Sequence, residues 1–577
     1  MNRRTFVTRS GLALLGVASH AEKLMPRPLL GVKQLSTQRN RRLLFNWDGS
    51  MIQCWGRTAV PNSQAPLTRQ QFISLVFTPI ENSGVDTVLF SFGSGNVAEY
   101  QSNVLEWPGQ ADDFTFPKSK TWHGGIEVDP EDQYLNPKGM ADAGHNPPAV
   151  VVEECHSRGL AAFASLRMND CHDAHYAKGA LPNPELPTFK RLHPDWLTED
   201  LDRWTALDYR RPEVRGLKLR AIEEFFDRWD FDGIELDWLR HTLNFPRGTE
   251  LDNCSCLTDF MRAVRTSLTA RGAKRRRRIE IAVRVPERLD WALEGGFDVA
   301  SWISEDLFDI LILGQGLTEL PALKEFRALM KIRQLPIYGS LYPYGNGYEI
   351  APDEVIRANA ANLWRDGVDG IYTFNWANYG TWRKELLTDL ADSRRLQTKN
   401  KHYVAVHRFD AGREVGTDYV RFSTTYKNGV VPFELNSSDV PKDIIIPIAD
   451  IPRFSELWLA MDHSQPGEVI TIQVNGTTIQ PIILPAEGAQ QRVGYEINIP
   501  AGNGRLGFPT LSVADMRFAA LRWQVPPSIL VVGRNKVTLK VNKRAAGADN
   551  PLRVTRLEIW APHILKRGSA RTVSESS

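Results

Sequence analysis

The sequence predicts an α/β protein in two parts, a (β/α)8 TIM barrel followed by a C-terminal all-β sandwich. Three observations lead there. Eight short apolar runs, each after a turn signal and each followed by helical spacing, alternate through the first two thirds of the chain, as a parallel sheet requires. From about His402 the helical spacing stops, and strand-like runs alternate with Gly, Asn and Pro turns. The 577 residues leave ample room for a barrel of roughly 250 residues or more beside a second domain.

The eight runs are Leu43 to Asp48, Val85 to Phe92, Leu160 to Met168, Gly233 to Leu239, Ile279 to Val285, Phe308 to Gln315, Leu335 to Tyr342 and Gly370 to Trp376. Between them lie segments such as Pro212 to Trp229, where Val214, Leu217, Leu219, Ile222, Phe225 and Phe226 recur near a 3.6 period. The barrel is assigned to residues 40–400. A long insertion over 93–147, rich in Gly, Pro, Asp and aromatic residues such as Tyr100, Trp107 and Trp122, reads as a wall or lid of a cleft. The sandwich is assigned to 401–565, with Asn475-Gly476 as a hairpin turn, and 566–577 to a disordered tail. Sugar binding and packing against the barrel are both open to the sandwich.

Residues 1–21 carry Arg3, Arg4 and Phe6 before a short apolar stretch that ends in small residues at Ala21. They resemble a twin-arginine export signal and imply a periplasmic or secreted protein. Later segments are too short or too polar to span a bilayer. Five cysteines scattered over the chain argue against a disulfide framework, and Cys254-Ser-Cys256 is too closely spaced for a zinc knuckle. The near balance of Lys+Arg 70 against Asp+Glu 68 gives no global field for nucleic acid or an anionic membrane, so function lies in local sites. The 16 Trp matter more, since indole faces stack on sugar rings, although many must be core.

In a barrel the chemistry sits where strands end and the following loops begin. Polar residues collect there: Trp47 and Asp48 after the first strand, then Arg167, Asn169, Asp170, His172 and Asp173 after the third. Glu235, Asp237, Arg240 and His241 follow on the fourth, Arg284 and Glu287 on the fifth, Gln315 on the sixth, Tyr342 on the seventh, and Asn375 and Trp376 on the eighth. In Gly233-Ile234-Glu235-Leu236-Asp237-Trp238 the acids alternate with apolar residues, so both carboxylates point into the barrel, about 6.6 Å apart along the strand. Two like charges that close drive one pKa upward, which prepares one carboxyl to donate a proton while the other stays anionic. Asp237 is the expected nucleophile or water-activating base, with Glu235 or Glu287 as donor. An alternative is a structural ion pair in which Glu235 is neutralised by Arg167 or Arg284. His172 and His175 match no familiar metal-ligand spacing, and neither metal nor cofactor is expected. The basic run Lys274 to Arg278 is expected to be a solvated loop at the opposite rim.

The stretch Leu207-Asp208-Tyr209-Arg210-Arg211-Pro212-Glu213-Val214-Arg215, followed by Asp230-Phe231-Asp232-Gly233-Ile234-Glu235-Leu236-Asp237, resembles the glycosylhydrolase-like family ten proteins. The resemblance implies a glycoside hydrolase barrel and a carbohydrate partner. The strand-four motif also looks like that of family eighteen chitinases, but Leu239 stands where their catalytic Glu would be. A barrel with its acids on strands four and seven fits poorly too, because Leu335 to Tyr344 contains no acid. The expected activity is hydrolysis of glycosidic bonds in an extracellular polysaccharide or oligosaccharide, with Arg167, Arg240 and Arg284 suited to an anionic one. A polysaccharide lyase with His172 or Tyr342 as base, and a non-catalytic carbohydrate-binding protein, are the alternatives. Changing Arg3 and Arg4 to Lys is expected to trap the precursor in the cytoplasm, as read by cell fractionation; undiminished export of that variant counts against the twin-arginine route.

Overall fold

A computed structural model describes residues 41–563, apart from 48, 50–51, 53–65, 111–113, 117–120, 124–125, 129, 176–182, 201–202, 315–321, 332, 343–346, 349, 375, 377–382, 408, 411–412, 415–428, 436–439, 483–489, 499–512 and 549. The stretch expected to be an export signal, residues 1–21, and the expected tail, 566–577, lie outside the described residues.

Eight parallel strands close into a barrel: β1 (Leu43–Trp47), β2 (Thr87–Ser91), β3 (Ala161–Arg167), β4 (Gly233–Asp237), β5 (Glu280–Val285), β6 (Ile310–Leu313), β7 (Ile337–Leu341) and β8 (Gly370–Thr373). The order is β1-β8-β7-β6-β5-β4-β3-β2, so each strand pairs with its sequence neighbours and β8 returns to β1. Every expected run contains one of these strands, trimmed by a residue or more at the mouth or the base, where pairing ends. Residues pointing outward, such as Ile234, Leu236 and Trp238 from the β4 run, join the large apolar layer beneath the helices. Those pointing inward, including Leu44, Leu89, Phe163, Ile312, Tyr338 and Tyr372, fill the barrel as a separate cluster. That division is the strand period of two made visible.

The helix α1 (Pro212–Arg228) covers β4, opening on Pro212 at its first turn and burying Val214, Leu217, Ala221, Ile222, Phe225 and Phe226. The insertion over 93–147 has structure of its own: a small hairpin, Thr121–His123 with Ile126–Val128, and a helix at Pro130–Asp142. Its Tyr100 is buried, and the hydroxyl donates to Glu224 on α1 at 3.2 Å. Here the aromatic fastens the insertion to the barrel and offers no face to a ligand.

An aspartate stands immediately before each even-numbered strand: Asp86, Asp232, Asp309 and Asp369. Each carboxylate accepts a backbone N–H at the start of the preceding odd strand: Leu43 at 3.3 Å, Ala162 at 2.9 Å, Ile281 at 2.9 Å and Ile337 at 2.7 Å. Four side chains thus satisfy strand-end donors that the ladder leaves open. The basic run 274–278, expected to be solvated, works at this same rim. Arg277 pairs with Asp230 and Asp232, and Arg278 reaches Asp309 at 2.6 Å. Lys274, Arg276 and Arg278 are exposed as expected, while the acids that pair with Arg277 and Arg278 lie a strand or a helix away in sequence.

The described strands of the C-terminal part pair antiparallel. One sheet orders Lys401–Val404, Leu552–Ala561, Glu456–Asp462, Phe518–Gln524 and Gln491–Val493; the other orders Lys442–Ile448, Gly533–Lys543, Val469–Val474 and Thr477–Thr478. Their apolar faces enclose a second core of Leu457, Leu459, Ile472, Val537, Leu539 and Ile559 among others. Asn475 and Gly476 have φ of 51° and 84°, the left-handed pair that a two-residue hairpin turn needs. Asp309→Ala is expected to destabilise the barrel by roughly 3–5 kcal/mol, because it orphans Ile281 N–H and strands Arg265, Arg278 and Arg333 without their shared partner. Denaturant unfolding of the variant measures this, and a shift under about 1 kcal/mol would remove the aspartates from the account.

Candidate functional site

The polar residues at the barrel mouth form two connected groups. The deeper one is built on β4 and β5, where Asp237 and Arg284 are register partners. Arg284 Nε donates to Asp237 Oδ1 at 2.9 Å and Nη2 to Oδ2 at 3.1 Å, a bidentate ion pair with Arg284 wholly buried. Asp237 Oδ1 also accepts the Leu239 amide at 2.9 Å. The guanidinium lies over the Phe374 ring at 3.8 Å, so a β8 aromatic holds it from the far side.

Glu235 sits one inward position below, fully buried. Asn46 Nδ2 donates to its Oε2 at 3.0 Å, and Ser165 and Tyr372 are its other neighbours. Burial first, and then the Asp237 charge, push the Glu235 carboxyl up to about 7 against the opposing pull of Arg284. Of the two arginines in the expected ion-pair alternative, Arg284 bonds to Asp237 and not to Glu235. Arg167 instead pairs with Asp170. Glu287, two residues past β5, is nearly buried. Gly314 at the end of β6 makes room for it, since a Cβ there would stand 3.1 Å from Glu287 Oε2.

The second group forms where the loop after β3 meets the loop after β4. Arg167 Nη1 donates to Asp170 Oδ2 at 2.7 Å. The other carboxylate oxygen lies 2.6 Å from His172 Nδ1, and Arg240 Nη2 lies 2.9 Å from His172 Nε2. An arginine can only donate, so His172 accepts at Nε2 and carries its proton at Nδ1, toward Asp170. Although burial raises it, the Asp170 carboxyl stays well below the usual carboxylate range, held there by His172 and Arg167. Burial pushes His172 down to about 4, so the imidazole is neutral near pH 7. His241 Nδ1 accepts the Cys171 amide at 3.1 Å.

Asp170, His172 and His241 have ligand atoms within 4.8 Å of one another and are the described residues best placed to hold a divalent ion. Their lone pairs already serve Arg167, Arg240 and the Cys171 amide, and two guanidinium groups beside them repel a cation. The donor set therefore fits a hydrogen-bonded network better than a metal.

Several expected contacts with substrate are displaced. Trp47 and Trp376 are 1% and 2% exposed and belong to the apolar layer under the helices, so neither presents a face to a sugar ring. Asn169 is fully buried with its amide spent on backbone, donating to Leu207 O and Leu243 O and accepting Leu207 N–H at 3.1 Å; it clamps three loops. Tyr342 packs at the mouth against Phe374. Asp48, Gln315 and Asn375 lie outside the described residues. Two buried lysines escaped the sequence reading. Lys218 on α1 donates to Gly95 O at 2.6 Å and stands 3.4 Å from Arg167 O, and Lys190 holds Asp173 at 2.7 Å. Lys218 looks in sequence like any lysine on an exposed helix face; only the loop folded over it shows its role.

No family model and no curated protein matches the chain. Solved structures do, with low identity and low scores. One is the α-L-fucosidase isoenzyme 2 from Paenibacillus thiaminolyticus, 12% identical with a TM-score of 0.36, over 61% of this chain and 49% of that one. A Group II chitinase catalytic domain from Ostrinia furnacalis is 12% identical, TM-score 0.28, over 53% and 65%. The PgaB glycoside hydrolase domain from Bordetella bronchiseptica is 10% identical, TM-score 0.33, over 58% and 93%. This chain thus spans about half the length of the fucosidase. No helix among the described residues is long and apolar enough to cross a membrane.

Because Glu235 keeps its proton to about pH 7 when folded, the folded state binds more protons than the unfolded one between the usual Glu range near 4.5 and 7. Its contribution to stability is full below that window and is lost as pH rises through it. Glu235→Gln is expected to flatten the fall in stability across pH 5–7, measured by denaturant unfolding at several pH values; an unaltered slope would mean that Glu235 does not titrate there.

Proposed function

We propose that this chain is a glycoside hydrolase acting on an anionic polysaccharide or oligosaccharide outside the cytoplasm. The observation that carries the reading is the division between two neighbouring acids: Asp237 is ion-paired to Arg284, while Glu235 holds its proton up to about 7. Glycosidic cleavage needs that division, one protonated carboxyl to give a proton to the leaving oxygen and one carboxylate to attack the anomeric carbon or to activate water. Asp237 takes the second role. The donor is Glu235 or, beyond the end of β5, Glu287. Arg167 and Arg240 beside the pair suit sulfate or carboxylate substituents, and the twin-arginine-like N-terminus accords with a substrate outside the cell.

A second reading, a polysaccharide lyase, is favoured by one specific contact set. His172 is oriented by Asp170 and flanked by Arg240. In such a reaction Arg240 turns from His172 Nε2 to the carboxylate of a uronate, the freed imidazole nitrogen takes the C5 proton, the C4–O bond breaks with that proton passing to the leaving oxygen, and a C4–C5 double bond remains. A non-catalytic carbohydrate-binding protein would tolerate loss of every acid.

The test is a panel of neutral and anionic polysaccharides offered to the wild type and to Asp237→Asn, followed by reducing-end release and ultraviolet absorbance. Asp237→Asn is expected to fold, to retain sugar binding and to lose turnover by roughly a thousandfold or more. A folded Asp237→Asn protein with near-normal turnover would overturn the assignment, and products absorbing in the ultraviolet would establish the lyase instead. Equal turnover of an uncharged analogue would remove the anionic substrate.

A further inference from the structure

Lys218 projects from α1 into a dry interior where, among the described residues, every atom it bonds to is uncharged. It is fully buried, and its ammonium donates to Gly95 O at 2.6 Å and to Asn96 Oδ1 and Arg167 O at 3.4 Å each. Three protons thus meet three neutral acceptors, two on the loop after β2 and one at the end of β3. Burial pushes the ammonium down to about 7, Lys190 adds to the fall, and Asp170, Asp173 and Cys171 oppose it. The acceptors lead onward. Gly95 has φ of 76°, and a Cβ there would stand 2.4 Å from Arg167 O, so the loop after β2 lies directly on the end of β3. Asn96, itself buried, turns its Oδ1 to Lys218 and donates from Nδ2 to Asp170 O at 2.8 Å. Lys190 reaches the same carbonyl at 3.3 Å. The Asp170 carboxylate in turn accepts Arg167 Nη1 at 2.7 Å and the His172 amide at 2.8 Å, and lies 2.6 Å from His172 Nδ1. Lys218 therefore meets this group by two short routes, the Arg167 carbonyl and the Asn96 amide.

We infer that Lys218 is a positioning residue for the group that receives the acidic substituent of the substrate: with Asn96 it fixes Asp170, and through Asp170 the Arg167 guanidinium and the His172 ring. The inference rests on the reading of Arg167 and Arg240 as residues that suit an anionic substituent. Stability alone is served as well by an apolar side chain of the same length, because desolvating an ammonium offsets most of what its hydrogen bonds return. An apolar chain would leave the direction of the three acceptors open. The ammonium sets that direction, and Asp170 and Arg167, both buried, have no water through which to make up a displaced bond.

The test uses the full chain and two variants: Lys218→Met, which keeps the length and removes the donors, and Asn96→Ala, which cuts the relay and keeps the lysine. In protein carrying 15N-labelled histidine, the His172 ring nitrogens are assigned by the loss of their signals in His172→Gln. They are read near pH 6, where the Lys218 ammonium is intact and the imidazole, pushed down to about 4, is neutral. In the wild type the proton sits on Nδ1, and in both variants the signals are expected to move toward a mixture of the two tautomers. His172 signals unchanged in both variants would overturn the inference, and Asn96→Ala decides it if Lys218→Met does not fold. For an anionic polysaccharide that the wild type cleaves, KM is expected to rise about fivefold or more in each variant while kcat stays within about threefold, with KM for an uncharged analogue unchanged. Shifted His172 signals with KM for the anionic polysaccharide unaltered would also overturn the inference, since the group that Lys218 holds would then not meet the substrate. A wild type that cleaves no anionic polysaccharide, with His172 still shifted in both variants, would refute the proposed substrate and leave the fixing of Asp170 by Lys218 in place.

Discussion

One buried guanidinium sets the terms for the barrel interior. Arg284 is fully enclosed, its charge met by Asp237 along two bonds and its face by Phe374, and among the described residues its Nη1 has no partner. Two carboxylates share this space with one cation. Asp237 takes the cation, and Glu235, deeper and drier, keeps its proton. The asymmetry does not come from the acids, which are neighbours on one strand. It comes from the strand beside them, which places an arginine opposite the outer acid and Ala282 opposite the inner one.

Around that pair the mouth is fixed by charges that are themselves buried. Lys218 reaches the loop after β2 and the end of β3 from α1, and burial pushes it down to about 7. Lys190 and the Thr205 hydroxyl close on Asp173. Glycines allow the approach: a Cβ at Gly49 would meet Arg167 at 2.9 Å, and one at Gly95 would meet the Arg167 carbonyl at 2.4 Å. Such a network gives little net stability, because desolvation offsets most of the attraction, but it specifies one arrangement of the loops over many. At the other rim the four aspartates and the 275–278 arginines do the same for the strand ends. Both rims of the barrel are thus held by paired charges.

The strand and helix order, the closure into eight strands, the β-sandwich and the inward direction of Glu235 and Asp237 were legible in the residues. Each follows from a local period, of two in a strand or 3.6 in a helix, and a period needs no knowledge of distant partners. The Asn475-Gly476 turn was legible for the same reason. What lay beyond reach was every question of partnership. Arg167, Arg240 and Arg284 all read as mouth arginines, and only the closed barrel assigns Arg284 to Asp237, Arg167 to Asp170 and Arg240 to His172. Trp47 and Trp376 read as sugar platforms because they stand near strand ends, yet Trp47 shares the outward face of Leu43 and Phe45, and Trp376 lies past the end of the β8 ladder, where the strand period no longer fixes its side. The acids beside Lys274 to Arg278 were equally out of reach. Sequence determined the order of the strands and the faces they present; tertiary structure decided which polar groups pair, which are spent on holding loops and which are buried, because burial and pairing belong to contacts between segments far apart in the chain.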